Sequence, residues 1–281
     1  MILQTVPAPA VRTACAICAL FVLTAASRQV AAQSAIRFTV MPADVEVSVP
    51  TGQTVVTGIV VQNDSAHALR FRAVLADLFL RRDGVADTLE DRRLPWSVVP
   101  FVRMAPAEFE IPASGRQFVR MAITLPRETR GGRYGAVVVS APPVLQLPAR
   151  PRPGAVVIAT PRIAARLLIS AAGTAEVGGR ITAMVASPRS AGRGIDILVT
   201  FRNTGNVHVR VKGDVAVLDG GGEAAGVAPL PEGVVLPGTV REFRLSVPAS
   251  LRPGRYTVRA TLDYGADVLL VGRQEFTYPA R

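Results

Sequence analysis

The chain has 281 residues, of which 49% are hydrophobic and 5% aromatic, and its formal net charge is +11. That length suits two domains of ordinary size. Two histidines and two cysteines leave little material for a metal or thiol site, and so few aromatics leave no stacking platform for nucleic acid.

The first 32 residues read as a signal peptide. Arg12 is a weak positive start, Thr13 to Ala26 is an apolar run too short to span a bilayer comfortably, and Val30-Ala31-Ala32 is a small-residue cleavage site before Gln33. The expected product is periplasmic, secreted or held at the cell surface, with no membrane span. Both cysteines, Cys15 and Cys18, lie inside the apolar run, so the mature chain has no thiol and its cores must suffice without disulfides. Removing Arg12 and Arg28 lowers the charge by two, from +11 to +9. A basic exported protein is drawn to anionic envelope polymers or acidic partners; arginines spread along the chain also read as a solvated surface.

From Ile36 onward the pattern is one of short strands. Thr54 to Val61 alternates loosely and ends at Asn63-Asp64-Ser65, and Leu69, Phe71 and Val74 resume the apolar face. Leu78-Phe79-Leu80 leads to Asp83-Gly84, a hairpin signal. The acids between Asp83 and Asp91 lack the spacing of a calcium loop and read as a solvated loop balanced by Arg81, Arg82, Arg92 and Arg93. Pro142 to Pro153 reads as an extended, mobile loop between the last two strands of a first domain. Ala171 to Ala175 reads as the linker. In the second half, Ile195 to Phe201 ends at Asn203-Thr204-Gly205-Asn206, as the earlier strand ends at Asn63.

One stretch occurs twice. Pro126-Arg127-Glu128-Thr129-Arg130-Gly131-Gly132-Arg133-Tyr134 returns as Pro248-Ala249-Ser250-Leu251-Arg252-Pro253-Gly254-Arg255-Tyr256, both P-x-x-x-R-x-G-R-Y. A Tyr opening a strand after a Pro/Gly corner is the sequence form of the tyrosine corner of an immunoglobulin-like sandwich, its hydroxyl bonding back to the upstream backbone. Tyr134 and Tyr256 are therefore the expected structural corners of two duplicated sandwiches. The expected class is all-β, with residues 33–172 as the first domain, 173–175 as linker and 176–281 as the second immunoglobulin-like domain.

Catalytic signatures are missing: there is no G-x-S-x-G, no H-E-x-x-H and no thiol in the mature chain. His67 and His208 each sit beside an Asn turn and read as surface residues of different domains. No catalytic residue, metal site or cofactor is expected.

The first domain resembles the N-terminal domain of the periplasmic pilus-assembly chaperones. The resemblance lies in the order of Asn63-Asp64-Ser65, Trp96-Ser97-Val98, Pro100-Phe101-Val102, Pro106, Phe109, Ile111-Pro112, Gly115 to Met121, Leu125 to Arg130, and a Tyr-led strand ending in Ala141-Pro142-Pro143. It implies that the strand Arg162 to Ile169 pairs with a client subunit. It also implies that an Arg in the first strand and a Lys in the last hold the client's terminal carboxylate. Met41-Pro42, near the first of these positions, is not basic; Arg37 is the nearest candidate, and Arg162 or Arg166 stands at the second. Phe38 to Pro42, the Pro50 to Gln53 turn and the Arg162 to Gly173 strand are also similar to surface proteins that bind WxL-domain proteins. Both resemblances imply protein binding outside the cytoplasm without catalysis. A structural subunit of a surface assembly is the alternative, and an envelope hydrolase a more distant one.

Within the strand, Ile163, Ala165, Leu167 and Ile169 share one face, opposite Arg162, Ala164, Arg166 and Leu168. The strand can stand at a sheet edge, open to β-augmentation, or be paired on both sides with its arginines in solvent. The expected client-binding residues are Arg37, Arg162, Ile163, Arg166, Leu167 and Ile169.

Overall fold

A computed structural model describes residues 36–90, 94–146, 157–189 and 194–279. The segment read as a leader, with Cys15 and Cys18, together with Arg92 and Arg93 and the centre of the proline-rich loop, lies outside the described residues. The strands of the first half are β1 (Phe38–Met41), β2 (Asp44–Val49), β3 (Thr54–Asn63), β4 (Leu69–Leu80), β5 (Ala86–Leu89), β6 (Val102–Ala105), β7 (Glu108–Ile111), β8 (Arg116–Thr124), β9 (Gly132–Ser140), β10 (Val144–Gln146), β11 (Val157–Ala159) and β12 (Arg162–Ala171). Those of the second half are β13 (Gly179–Pro188), β14 (Ile195–Asn203), β15 (Val209–Leu218), β16 (Ala224–Val235), β17 (Val240–Val247), β18 (Gly254–Asp263) and β19 (Leu270–Tyr278).

They form two consecutive immunoglobulin-like β-sandwiches. In the first, a sheet ordered β1-β3-β8-β6 faces one ordered β2-β12-β9-β4-β5, with β7 added on β4. In the second, β13-β14-β17 faces β16-β15-β18-β19. Two of the chain's changes of sheet in the first sandwich fall at a proline. β1 pairs with β3, and after Pro42 β2 runs parallel to β12; β6 pairs with β8, and after Pro106 β7 pairs with β4. A proline has no N–H for a ladder, so pairing stops where it stands.

Alternation decides what each strand buries. On β3, Ile59, Val61 and Asn63 point inward with Val119, Met121 and Ile123 of β8; on β9, Val137 and Val139 meet Ala165, Leu167 and Ile169 of β12 in the same core. The second core gathers Ile197, Val199, Phe201, Val215, Val217, Val258 and Leu262. Full burial of such a side chain contributes about 1.5–3 kcal/mol.

The two Asn turns are built alike. Buried Asn63 donates its amide to the carbonyls of His67, Ile111 and Pro112, while its oxygen accepts from Ser65 N–H. Buried Asn203 donates to Val207 and Val235, and its oxygen accepts from Gly205 N–H. One side chain closes the turn and satisfies carbonyls that burial would otherwise orphan. The start of the Pro142 to Pro153 region is more ordered than a bare loop: β10 pairs antiparallel with β11, which follows beyond Pro153, extending the hairpin of β9 and β12.

A third apolar cluster joins the sandwiches. Leu78 and Leu80 of β4, Tyr134 of β9 and Leu168 of β12 pack with Val234 and Leu236 from the second half, and Trp96 covers them. The outer face of the β2-to-β5 sheet is thus covered by the second sandwich at the Tyr134 end, whereas Arg72 and Arg162 at the Ser140 end are exposed.

Candidate functional site

β12 lies inside its sheet for part of its length and at an edge for the rest. Antiparallel to β9 it is paired from Arg162 to Ser170; parallel to β2 it is paired only from Arg166 to Ala171. Both expected arrangements therefore occur, one in each half of the strand. Arg166 N–H donates to Ala43 O at 2.8 Å, which fixes the side on which alternate residues present their backbone groups. Ala164, two residues earlier, turns its N–H and C=O to that same side, where β2 has not yet begun. Ala164 and Arg162 are exposed and Ile163 is half-buried.

The faces of β12 match the alternation, with one exception to the solvated-arginine reading. Ala165, Leu167 and Ile169 are in the first core and Ile163 packs against it. Arg162 is exposed and donates from Nε to Ser140 Oγ at 3.1 Å, and its guanidinium is ion-paired with Glu90. It stands between two openings. One, of about 600 Å³, is lined by Arg70, Arg72, Val74, Glu108, Ser140 and Pro142 among others; the other, of about 700 Å³, is lined by Arg37, Phe38, Asp64 and Ile163. The fold thus brings Arg37, Arg162 and Ile163 to one groove.

Arg166 is elsewhere. Its guanidinium forks onto Asp44 of β2, Nε to Oδ1 at 2.6 Å and one terminal nitrogen to Oδ2 at 2.7 Å. The Asp44 Oδ2 atom also accepts from Arg210 of β15 at 2.9 Å, and Arg210 continues to Glu46 Oε2 at 2.9 Å. His208 Nε2 meets Glu46 Oε1 at 2.9 Å. The series runs from Arg166 through Asp44, Arg210 and Glu46 to His208, and it ties β12 and β2 to the second sandwich. Burial by itself raises the Asp44 carboxyl, but hydrogen bonds from Arg166 and Arg210 and then their charges outweigh it and hold the group below its ordinary value. Glu46 is likewise lowered against its burial by His208 and Arg210. The hydrogen bond that Arg210 donates to Asp44 leads the causes that raise the pKa of Arg210.

Tyr134 departs from the corner expected of it. Its hydroxyl does not return to its own upstream backbone; it accepts the His208 N–H at 2.7 Å, across the joint. Burial pushes its phenol well above the ordinary value. The imidazole of His208 lies edge-on to the ring at 5.7 Å and its side chain is 7% exposed, so this histidine is an interface residue, not a surface one. Gly132 leaves room for the ring: a Cβ there would lie 1.8 Å from the Tyr134 hydroxyl oxygen. Tyr256 bonds within its own turn, its hydroxyl donating to Arg252 O at 3.0 Å and accepting from Arg252 N–H at 3.1 Å.

Sequence reasoning gave no site role to Asp44, Glu46, Arg72, Glu90, Arg210 or Arg241. Alternating acids in Asp44-Val45-Glu46 and alternating bases in His208-Val209-Arg210 were the available signal, since each pair shares one strand face. Arg241 lies in the joint, its guanidinium 5.1 Å from the centre of the Phe243 ring and donating to Val234 O at 3.1 Å. Burial, then the charge of Arg166, lowers its pKa.

Among the described residues no cluster of three His, Cys, Asp or Glu could hold a metal, and no helix is long and apolar enough to cross a membrane. No protein-family model matches the chain, and no curated protein matches it by sequence. Solved structures of similar shape include a chain of a chaperone–tip adhesin complex in CFA/I fimbriae biogenesis, at 14% identity and a TM-score of 0.45, spanning 87% of this chain and 100% of that one. Another is from the chaperone–tip adhesion subunit pre-assembly complex of archaic chaperone-usher Csu pili of Acinetobacter baumannii, at 12% identity and a TM-score of 0.42, spanning 85% and 97%. A third is the CupB2 chaperone of Pseudomonas aeruginosa, at 16% identity and a TM-score of 0.38, spanning 86% and 100%. At these identities and TM-scores each overlay is distant.

Proposed function

We propose that this chain is an exported, non-catalytic protein of chaperone type that captures an extended segment of a client protein along the open half of β12. The observation that carries this reading is the partial pairing of that strand: β2 begins only at Asp44, opposite Arg166, and among the described residues the backbone of Ala164, beside Arg162, has no partner on that side. A strand edge with unpaired N–H and C=O groups is a template for another chain. Main-chain bonds then supply affinity and alternate side chains supply specificity. Arg162, with Arg37 in the same groove, offers charge-assisted bonds to a carboxylate at the end of such a segment. Arg166, Leu167 and Ile169 support the strand from within, because the Asp44 fork and the core already hold them.

The test is capture from periplasmic or culture extract by wild type and by Arg162→Glu. Reversal at this exposed position should remove capture and leave the melting curve nearly unchanged. Equal capture by both proteins rejects the site. Arg166→Glu does not serve the purpose, because it sets a carboxylate against Asp44 and disturbs the joint itself.

A further inference from the structure

The arginine proposed to receive a client is already paired with a carboxylate of this chain. Glu90 follows β5, and from there its side chain reaches Arg162 on β12, with β4 and β9 lying between in the sheet. Both partners are half-exposed at the rim of the 600 Å³ opening, so water reaches the pair and it is weak enough to exchange. Beneath it the register is informative. Ser140 of β9 stands directly between Arg72 of β4 and Arg162 of β12, so two guanidinium-bearing positions flank one hydroxyl on the exposed part of the face. Arg72 has no ion pair among the described residues; Arg70 lies 3.8 Å from Glu108, and Glu110 stands opposite Arg70 on β7. Of these three bases Arg70 and Arg162 are ion-paired, and among the described residues only Glu90 is placed on Arg162.

We propose that Glu90 is an internal surrogate for the client's carboxylate and limits how tightly Arg162 takes a carboxylate-ended segment. The inference rests on the reading of β12 as a capture strand. In the free protein Glu90 satisfies Arg162. A segment that brings its own carboxylate exchanges with Glu90 ion pair for ion pair, and Arg72, two strands away over Ser140, is placed to share the incoming group. A neutral-ended segment has no group to replace Glu90 and leaves the pair in place, gaining only the backbone bonds at Ala164. Because Glu90 competes for Arg162, it weakens capture of carboxylate-ended strands and leaves neutral-ended ones unaffected, so it holds the groove's preference for a carboxylate in check.

The experiment uses ten-residue peptides of alternating apolar and polar residues, each made with a free C-terminal carboxylate and as the C-terminal amide. Binding to wild type, Glu90→Gln and Arg162→Gln is read by fluorescence anisotropy, and matched melting curves confirm folding. Wild type should prefer the free carboxylate, and Arg162→Gln should lose that preference. Glu90→Gln should bind the carboxylate form roughly two- to five-fold more tightly, the range of a half-exposed ion pair, with the amide form unchanged. Equal affinity of Glu90→Gln and wild type for the carboxylate form, with the preference intact, overturns the surrogate role alone. Absence of binding to any of the three proteins overturns strand capture and the surrogate with it.

Discussion

The hydroxyl of Tyr134, in the first sandwich, accepts the backbone N–H of His208, in the second, at 2.7 Å. The ring is completely buried in the cluster that joins the two halves. Tyr134→Phe keeps the packing and orphans that N–H, which should cost about 1–3 kcal/mol. Tyr134→Ala should cost about 3–5 kcal/mol as a large truncation in a packed site. Both losses fall on the joint, so denaturant unfolding should separate into two transitions. Tyr256→Phe should cost about 1 kcal/mol, one net hydrogen bond, and should leave a single transition.

Gly132 and Gly254 hold the same place in the repeated motif and should respond differently. A Cβ on Gly132 meets the Tyr134 hydroxyl oxygen at 1.8 Å, while the nearest neighbour of a Cβ on Gly254 is 3.9 Å away. Gly132→Ala should destabilise by about 1–3 kcal/mol through overpacking. Gly254→Ala should stay within about 0.5 kcal/mol of wild type, as for a substitution with open space. Similar melting temperatures for the two variants would contradict the assigned placement of Tyr134.

Much of the fold was legible because it follows from local alternation. The strands, the paired Asn turns and the two sandwiches rest on spacing that any strand of this composition must obey. The destination of the Tyr134 hydroxyl was not legible. The motif fixes a Tyr at the head of a strand, but whether its ring turns to the strand's own corner or to a neighbouring domain depends on what covers that sheet face. The pairing of β12 was hidden for the same reason. It is set by where Pro42 lets β2 begin, some 120 residues earlier in the chain, and strand pairing at such separation leaves no local trace. Arg166 and Arg162 look equivalent in sequence, and only the position of Asp44 divides them into a strut and an exposed base.

The ionic series across the joint predicts sensitivity to acid. Asp44 and Glu46 are held below their ordinary values when folded, so their contribution is complete above the ordinary carboxylate range. As pH falls through that range the unfolded state takes up protons first, and the contribution is lost as pH approaches the lowered folded values. Asp44→Asn removes the shared acceptor of Arg166 and Arg210 and should cost roughly 1.5–3 kcal/mol at neutral pH, the scale of hydrogen bonds to charged groups. In acid the variant and the wild type should converge. Denaturant titrations at neutral pH and well below the carboxylate range check both statements. A gap that widens on acidification would mean that the series does not stabilise the joint.

The last prediction separates capture by the strand edge from capture by charge. Ala164 directs its N–H away from β9 and toward the side that β2 leaves uncovered. A proline there removes one donor from the open edge and none from the β9 ladder. Prolines are tolerated on edge strands when the missing N–H faces solvent, and the residue before one favours the extended backbone that Ile163 already has. Ala164→Pro should therefore keep its melting temperature close to wild type and lose client capture, with Arg162 and Glu90 untouched. The contrasting variant is Ala165→Pro, whose N–H points toward β9 and whose side chain is buried; it should destabilise the first sandwich outright, by about 3 kcal/mol or more. If Ala164→Pro captures client as well as wild type does, main-chain pairing is not the source of affinity. The arginines around the groove would then have to bind the client through side chains alone.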